Sequence, residues 1–246
     1  MKFFLTSDDY HINNFFESTN ILYFQRLIVP SFLKRFKKKF QDKSIKKILE
    51  IIYKKFTPLF VYKEYFLYEE DNLPYYKLKP KLDQAQFIFF SDYQKFQELI
   101  EEQGMELLDF DIRFIKYMFD NEAIAFCSVI ENHLAHMTWV ALDEKSMEKI
   151  ERLPIKIDWE NEACWGMAQT SSSYKRLGLY SCVHAQIAMY LKSKGIQKNK
   201  FSINKNNMPS NQAMSIFQSK VYADAYSVKF LFWEFCFIIN RIFKEE

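Results

Sequence analysis

The sequence predicts a mixed α+β fold carrying an N-terminal extension that is helical and basic, and three observations predict it. Between Ala163 and Ile196 an apolar, aromatic run of strand character feeds a segment whose apolar positions Leu179, Val183, Ile187 and Leu191 recur every four residues, the period of a helix. The runs Ala123 to Glu131 and His133 to Leu142 flank Asn132 as the two strands of a hairpin. Finally, Phe32, Phe36 and Phe40, then Ile45, Ile48, Ile52 and Phe56, repeat at three to five residue steps in a lysine-rich stretch. That spacing gives one or two amphipathic helices, with Ser44 as the break.

In chain order, Met1 to Val29 is aromatic without a clear period and ends at Pro30. Leu59 to Tyr68 alternates like a strand, Asp71-Asn72-Leu73-Pro74 is a turn, and Pro80 marks a boundary between an extension, 1–80, and a main domain, 81–246. After it come a strand at Gln86 to Phe90, helices at Asp92 to Gln103 and Leu107 to Met118 separated by Gly104, and the hairpin. Asp143 to Asn161 reads as helix plus loop, with Trp159 placed to cover a pocket. Glu162 to Thr170 is the next strand, and its Gly166 signals a bulge or a close backbone approach. Val228 to Phe243 is aromatic-rich and reads as a core strand or, alternatively, an interfacial surface.

A chain of 246 residues, 49% hydrophobic and 18% aromatic, has ample material for a core. Cys127, Cys164, Cys182 and Cys236 are dispersed, with no zinc-type spacing, so neither a disulfide framework nor a metal site is expected, and reduced thiols fit a cytoplasmic protein. Asp8 and Asp9 interrupt the N-terminus before a secretory apolar region develops, and no run is long enough to span a bilayer.

The junction from Ser171 to Gly178 suits a phosphate. It carries three consecutive hydroxyls (Ser171, Ser172, Ser173), two cations (Lys175, Arg176) and a glycine where the helix begins. Unpaired amides at a helix N-terminus and the helix dipole both favour an anion there, and glycine lets the backbone approach it. The chain has only four glycines, against roughly seventeen at average usage. Neither a Walker loop nor a dinucleotide-binding G-x-G-x-x-G is present.

What is present, Lys175-Arg176-Leu177-Gly178-Leu179-Tyr180, resembles the Q/R-x-x-G-x-G/A loop of the GNAT superfamily of acyl-CoA-dependent N-acyltransferases, with Lys175 in the basic position and Tyr180 in place of the last small residue. Gly195 closes the helix at the family's distance, a short strand follows at Lys200 to Asn204, and an Asn-rich turn leads into another helix. The similarity spans about residues 86–222. Members that accompany bacterial surface-polysaccharide synthesis often carry Gly-Leu-Tyr, as Gly178-Leu179-Tyr180 does here. The resemblance implies a mostly antiparallel central sheet with splayed strands flanked by helices, and acetyl-CoA or another acyl-CoA as co-substrate. It further implies that Ala168, Gln169 and Thr170 line the pantetheine, that Ser172, Lys175, Arg176, Leu177, Gly178, Leu179 and Tyr180 surround the diphosphate, and that Asn207 belongs to the same site.

Thioester chemistry needs a neutral amine, a route for its proton, an oxyanion donor and protonation of the thiolate. A strand amide near Gln169 is placed to serve the oxyanion. His136 is the first candidate base, because imidazole titrates near working pH, with Glu162 and Glu131 behind it. His184 and His11 read as structural. Asn207 and Ser210 match the family's N-x-x-A/S spacing, but counting back from Val221-Tyr222 puts Phe217 where the family has its proton-donating tyrosine; either water or another hydroxyl such as Tyr180 protonates the thiolate, or the protein is not a fast transferase.

The resemblance implies transfer of an acetyl group to an amine acceptor, an amino sugar on a nucleotide or glycan intermediate, on which Trp139, Trp159, Trp165 and Tyr174 could stack. Ser31 to Phe56 holds ten basic against two acidic residues, a balance of +8 in a chain of net charge +3. It suits an anionic membrane face, which would place the protein peripherally at the inner membrane, or an acyl carrier protein as acyl donor, or equally a plain solvated helix face. No nucleic-acid-binding motif is present. A catalytically inert protein tethered by CoA or by the basic helices is the reading from another class.

Overall fold

The structure is a computed structural model that describes residues 2–5, 60–72, 78–230 and 233–241. The basic stretch Ser31 to Phe56 lies outside the described residues. The chain divides into two compact units, Phe66–Tyr222 and Met1–Tyr65 with Ala223–Glu246. The boundary expected at Pro80 therefore falls inside the larger unit.

In the larger unit the strands are the C-terminal part of β2 (Phe60–Asp71), β3 (Ala85–Phe90), β4 (Ile124–Ile130), β5 (His133–Ala141), β6 (Glu162–Thr170) and β7 (Lys198–Asn204), in the order β2-β7-β6-β5-β4-β3. From β3 to β6 the pairing is antiparallel, and β6 and β7 are parallel. Two neighbours parallel in sequence order need a crossover, and helix α4 (Leu179–Ser193) supplies it. Helices α1 (Tyr93–Gln103), α2 (Ile112–Asp120), α3 (Glu144–Ile150) and α5 (Met208–Met214) complete the unit. This is the mixed fold with a largely antiparallel open sheet that the sequence implies. The smaller unit contributes β1 (Lys2–Leu5), parallel to β9 (Trp233–Asn240), which in turn pairs antiparallel with β8 (Lys220–Phe230) from Ala223 onward. The aromatic segment Val228 to Phe243 thus holds the end of one strand and the whole of the next.

Two apolar layers sandwich the sheet of the larger unit. Phe90, Phe96, Ile115, Met118, Phe119, Met137, Trp139 and Ile150 form one, under α1, α2 and α3. Trp165, Val183, Ile187, Leu191, Phe201, Ile203 and Phe217 form the other, with α4. Helix starts are set by local chemistry: Asp92, Asp111 and Asp143 each accept a backbone N–H as N-caps of α1, α2 and α3. Helix α4 ends in a Schellman motif, with Gly195 at φ +82°, its amide on Lys192 O and the Ile196 amide on Leu191 O.

The helix expected from Leu107 starts five residues later, at Ile112. Residues 105–111 form a loop in which Glu106 bridges to His133 and Leu108 takes φ +51°. That loop reaches the turn between β6 and α4, where Asp109 meets Ser172.

Candidate active site

The site is built where β6 and β7 part. The two strands pair in register at Glu162–Lys198, Ala163–Asn199 and Cys164–Lys200, and no register pair joins them beyond that point among the described residues. A ladder of buried amides closes this end: Trp165 Nε1 donates to Asn199 Oδ1 at 2.9 Å, Asn199 donates to Asn72 at 2.6 Å, and Asn72 donates to Ile196 O at 3.1 Å. Past it, β6 continues with Met167, Ala168 and Gln169 exposed. The edge between the strands is open there.

A β-bulge lies in that open part of β6. Met137 faces Gln169 and Trp139 faces Gly166, so β5 advances two residues while β6 advances three, and Met167 absorbs the difference at φ +53°. A bulge leaves its extra residue out of the ladder and re-aims the adjacent peptide. Met167 thus stands out of the β5–β6 register in the stretch of β6 that has no register pair with β7 among the described residues. Gly166 has a different task. A Cβ added there would meet Ile150 Cγ2 at 3.0 Å, so α3 packs directly against this stretch of backbone.

Ala168, Gln169 and Thr170 lie in the stretch of β6 past its last register pair with β7, and the side chains of Gln169 and Thr170 have partners within the protein. Gln169 Nε2 donates to the Asp109 carbonyl at 3.0 Å, and Thr170 Oγ1 lies 2.7 Å from His136 Nδ1. What this stretch offers a ligand is backbone.

Beyond Thr170 the chain turns through a short 3-10 helix, Ser172–Tyr174, to the start of α4. Gly178 is the N-cap of α4 at φ +80°, and no side chain caps that end. The first amides of any helix lack intrahelical acceptors, and here no side chain takes one of them, which is the arrangement that favours an anion. Lys175 and Arg176 flank it, both exposed, with Arg176 at φ +67°. Leu177 gives its carbonyl to the Lys81 amide at 3.0 Å, which ties the loop to the segment after Pro80. Leu179, 1% exposed, packs its side chain on Ile130 and Ala135. A Cβ on Gly178 would meet only Pro80 Cα, at 4.0 Å, an ordinary contact. Glycine is required there by the left-handed backbone rather than by crowding.

Ser172 is committed elsewhere than expected. The Asp109 carboxylate accepts the Ser172 amide at 2.7 Å, its hydroxyl at 2.8 Å and the Ser171 hydroxyl at 3.1 Å. These bonds, the Ser172 amide first, hold the Asp109 carboxyl below its ordinary value. A second anion beside that carboxylate would be repelled, so Ser172 is a poorer partner for an anion than Lys175 or Arg176. Nothing local marks Asp109 for this, since its partner lies 63 residues on.

The candidate bases are placed as follows. His136 is fully buried, with Nδ1 on Thr170 Oγ1 at 2.7 Å and Nε2 on Thr138 Oγ1 at 2.8 Å. Burial pushes its pKa down to about 3. An imidazole so depressed and bonded on both sides is a poor proton acceptor. Glu162 sits at the opposite end of β6 from the loop, held by Lys200 Nζ at 2.7 Å and the Asp158 amide at 2.9 Å. Glu131 is exposed in the hairpin turn at φ +54°.

Asn207 caps α5, accepting the Ser210 amide at 3.4 Å. Phe217 is buried and stacks on His184, with centroids 3.9 Å apart. Tyr180, in the first turn of α4, lies 6.0 Å from His136 and 6.1 Å from Trp165 by ring centroids, and burial raises its pKa. Of the aromatic residues expected to meet a sugar, Trp139 and Trp165 are core, 1% and 3% exposed. Tyr174 donates or accepts at His133 Nδ1 over 2.8 Å, and Trp159 packs half-buried against the α1–α3 layer. A separate cavity of about 440 Å³ lies between α4 and the β3–β4 edge, away from the splay.

No known family model matches the sequence, and no curated protein matches it. Solved structures do superpose. A GNAT-family acetyltransferase from Colwellia psychrerythraea is similar at 10% identity and a TM-score of 0.46, over 69% of this chain and 57% of its own. A GCN5-related N-acetyltransferase-like protein from Streptococcus suis is similar at 8% identity and a TM-score of 0.43, over 74% and 66%. The glucosamine N-acetyltransferase region of a fungal multi-domain beta-N-acetylglucosaminidase is similar at 14% identity and a TM-score of 0.47, over 78% of this chain and 23% of that one. The chain spans less than two thirds of the length of the first and third of these structures.

Proposed function

We propose that this chain is an acyl-CoA-dependent N-acyltransferase that passes an acetyl group from acetyl-CoA to an amino group by direct attack, the acceptor being an amino sugar on a nucleotide or glycan intermediate. One observation carries the reading: the open, bulged edge of β6 leads, through the short turn that contains Ser172–Tyr174, to the uncapped N-terminus of α4 at a left-handed glycine. An elongated ligand with an amide-bearing arm and a diphosphate matches both halves. The arm pairs with strand amides, as an added strand would. The diphosphate meets the α4 amides, with Lys175 and Arg176 as counter-charges.

In this arrangement a strand amide at the bulge donates to the oxyanion that forms on attack, and such a donor is worth about 10²–10³ in rate. His136, neutral and bonded on both sides, serves to pin β5 to β6 beneath the site rather than to take the amine's proton. That proton passes to water. The amino-sugar acceptor is supported by the resemblance of Gly178-Leu179-Tyr180 to polysaccharide-associated loops, with Trp159 the aromatic residue nearest to available.

The excess of basic residues in Ser31 to Phe56 favours a second reading, in which an acidic carrier protein delivers a longer acyl chain or an anionic membrane holds the enzyme. The test is thiol release from acetyl-CoA across a panel of amines, repeated with acyl carrier protein as donor. Release with amino sugars and acetyl-CoA is expected. Faster turnover with the carrier protein would favour the second reading, and CoA binding without release on any amine would identify an inert binding protein. Among the described residues no helix is long and apolar enough to cross a membrane.

A further inference from the structure

Strand β3 ends the sheet of the larger unit, and its outer edge has no neighbouring strand among the described residues. Its pairing with β4 runs without a bulge from Ala85–Ile130 to Phe90–Ala125. In an antiparallel ladder alternate residues turn both backbone groups toward a given neighbour. Ile130 and His133 flank a two-residue hairpin loop and bond to each other, which leaves Val129, Cys127 and Ala125 to bond with Gln86, Ile88 and Phe90 of β3. Ala85, Phe87 and Phe89 therefore turn their N–H and C=O groups outward. The Ala85 amide accordingly donates to Leu82 O, at 3.3 Å, and not to β4.

Exposed edges are usually blunted by charge, proline or a bulge. Strand β3 has none of these, since no charged residue and no proline lies between Gln84 and Ser91. Phe89 is 51% exposed. Its ring lies 5.4 Å from that of Phe126 and 5.0 Å from that of Tyr190, which places it on the α4 face of the sheet. The cavity of about 440 Å³ opens beside it, lined by Phe87, Phe126, Val183, Met189 and Tyr190. Such an edge suits an uncharged antiparallel strand with large apolar side chains at alternate positions.

The sequence of β3 is itself such a strand. When two copies lie antiparallel about a two-fold axis at Ile88, Phe87 of each stands opposite Phe89 of the other. Both are outward-turned residues, so they exchange N–H···O bonds. Directly opposed side chains share a face, and the phenylalanines of both copies meet on the α4 side, beside the cavity. Ile88 faces Ile88 on the other side, in a non-bonded pair whose Cα atoms approach to about 4.5 Å. No like charges are opposed in this register. We propose that β3 is a dimerisation edge whose partner is β3 of a second copy of this chain, paired antiparallel about Ile88. The contact is isologous and closes with two copies. It does not depend on the acyltransfer reading.

Sedimentation and cross-linking of the full chain test this. The chain should show a monomer–dimer equilibrium, and Phe89→Lys, which puts a charge on the edge at a half-exposed position, should raise its dissociation constant at least about tenfold. Cross-linking tests the register without that variant. Cys127, Cys164, Cys182 and Cys236 are all buried, so an added cysteine on the edge is read on its own. Under mild oxidation Ile88→Cys should form a covalent dimer, because a Cα separation of about 4.5 Å suits a disulfide. Gln86→Cys, on the same face but opposite Phe90 of the second copy, should not. A chain that stays monomeric as its concentration rises would overturn the proposal. A dimer indifferent to Phe89→Lys, or one cross-linked as fast through Gln86→Cys as through Ile88→Cys, would overturn it as well.

Discussion

The Asp109 carboxylate holds Ser172 twice, taking its backbone amide at 2.7 Å and its hydroxyl at 2.8 Å. A loop between α1 and α2 thereby fixes the turn that leads from β6 to the start of α4. Asp109→Ala should free that turn. Hydrogen exchange at the Ser172 amide should rise at least about tenfold, and the dissociation constant for acetyl-CoA should rise with it. Because these bonds depress the Asp109 carboxyl below 3.8, their contribution is complete above that value and is lost as pH falls through the lower, folded-state one. Loop protection should accordingly persist at pH 5 and fail only in stronger acid.

His136 contributes in the same direction, through its neutral form. Its folded-state pKa of about 3 lies below the ordinary 6.5, so the unfolded chain takes the proton first. Stability from this group is complete above pH 6.5 and declines as pH falls toward 3. Between pH 7 and pH 5 the loss amounts to about 2 kcal/mol. Urea unfolding at the two pH values should show it in the parent, and His136→Gln should lack it.

Gly178 tests backbone conformation against crowding. A branched residue forced to φ +80° costs about 1–2 kcal/mol, whereas asparagine tolerates that region. Gly178→Val should lower thermal stability and abolish CoA binding, while Gly178→Asn retains most of both. Equal behaviour of the two variants would mean that contact with Pro80, and not φ, makes the position glycine.

Gly166 tests the reverse. Its added Cβ would press on Ile150 Cγ2 at 3.0 Å, so Gly166→Ala should cost about 1–3 kcal/mol, as overpacking does. Combined with Ile150→Ala, which removes the opposing methyl, the two losses should sum to less than their separate values in a double-mutant cycle.

Elements with strong local signals were legible in the sequence. Glu162 to Thr170, the helix start at Leu179 and the hairpin around Asn132 fall where period, glycine and turn chemistry place them. The start of α2 was not, because residues 107–111 have helical composition and only the distant partners of Glu106 and Asp109 hold them out of a helix. The division of the chain escaped for a similar reason: the strand that lies beside β7 comes from before Pro80, and no local pattern announces a pairing of that range. In the site, backbone features were readable through Gly166 and Gly178. Side-chain roles were not, since Ser172 and His136 depend on partners 63 and 34 residues away.

The most direct measurement is hydrogen exchange at the amides of Gly178, Leu179, Tyr180 and Ser181, with saturating CoA and, separately, with pantetheine, which lacks the diphosphate. CoA should slow exchange at these amides and pantetheine should not, while both slow it at Met167 and Ala168. Unchanged exchange at the start of α4 with CoA demonstrably bound would contradict the assignment of that helix end as the diphosphate site.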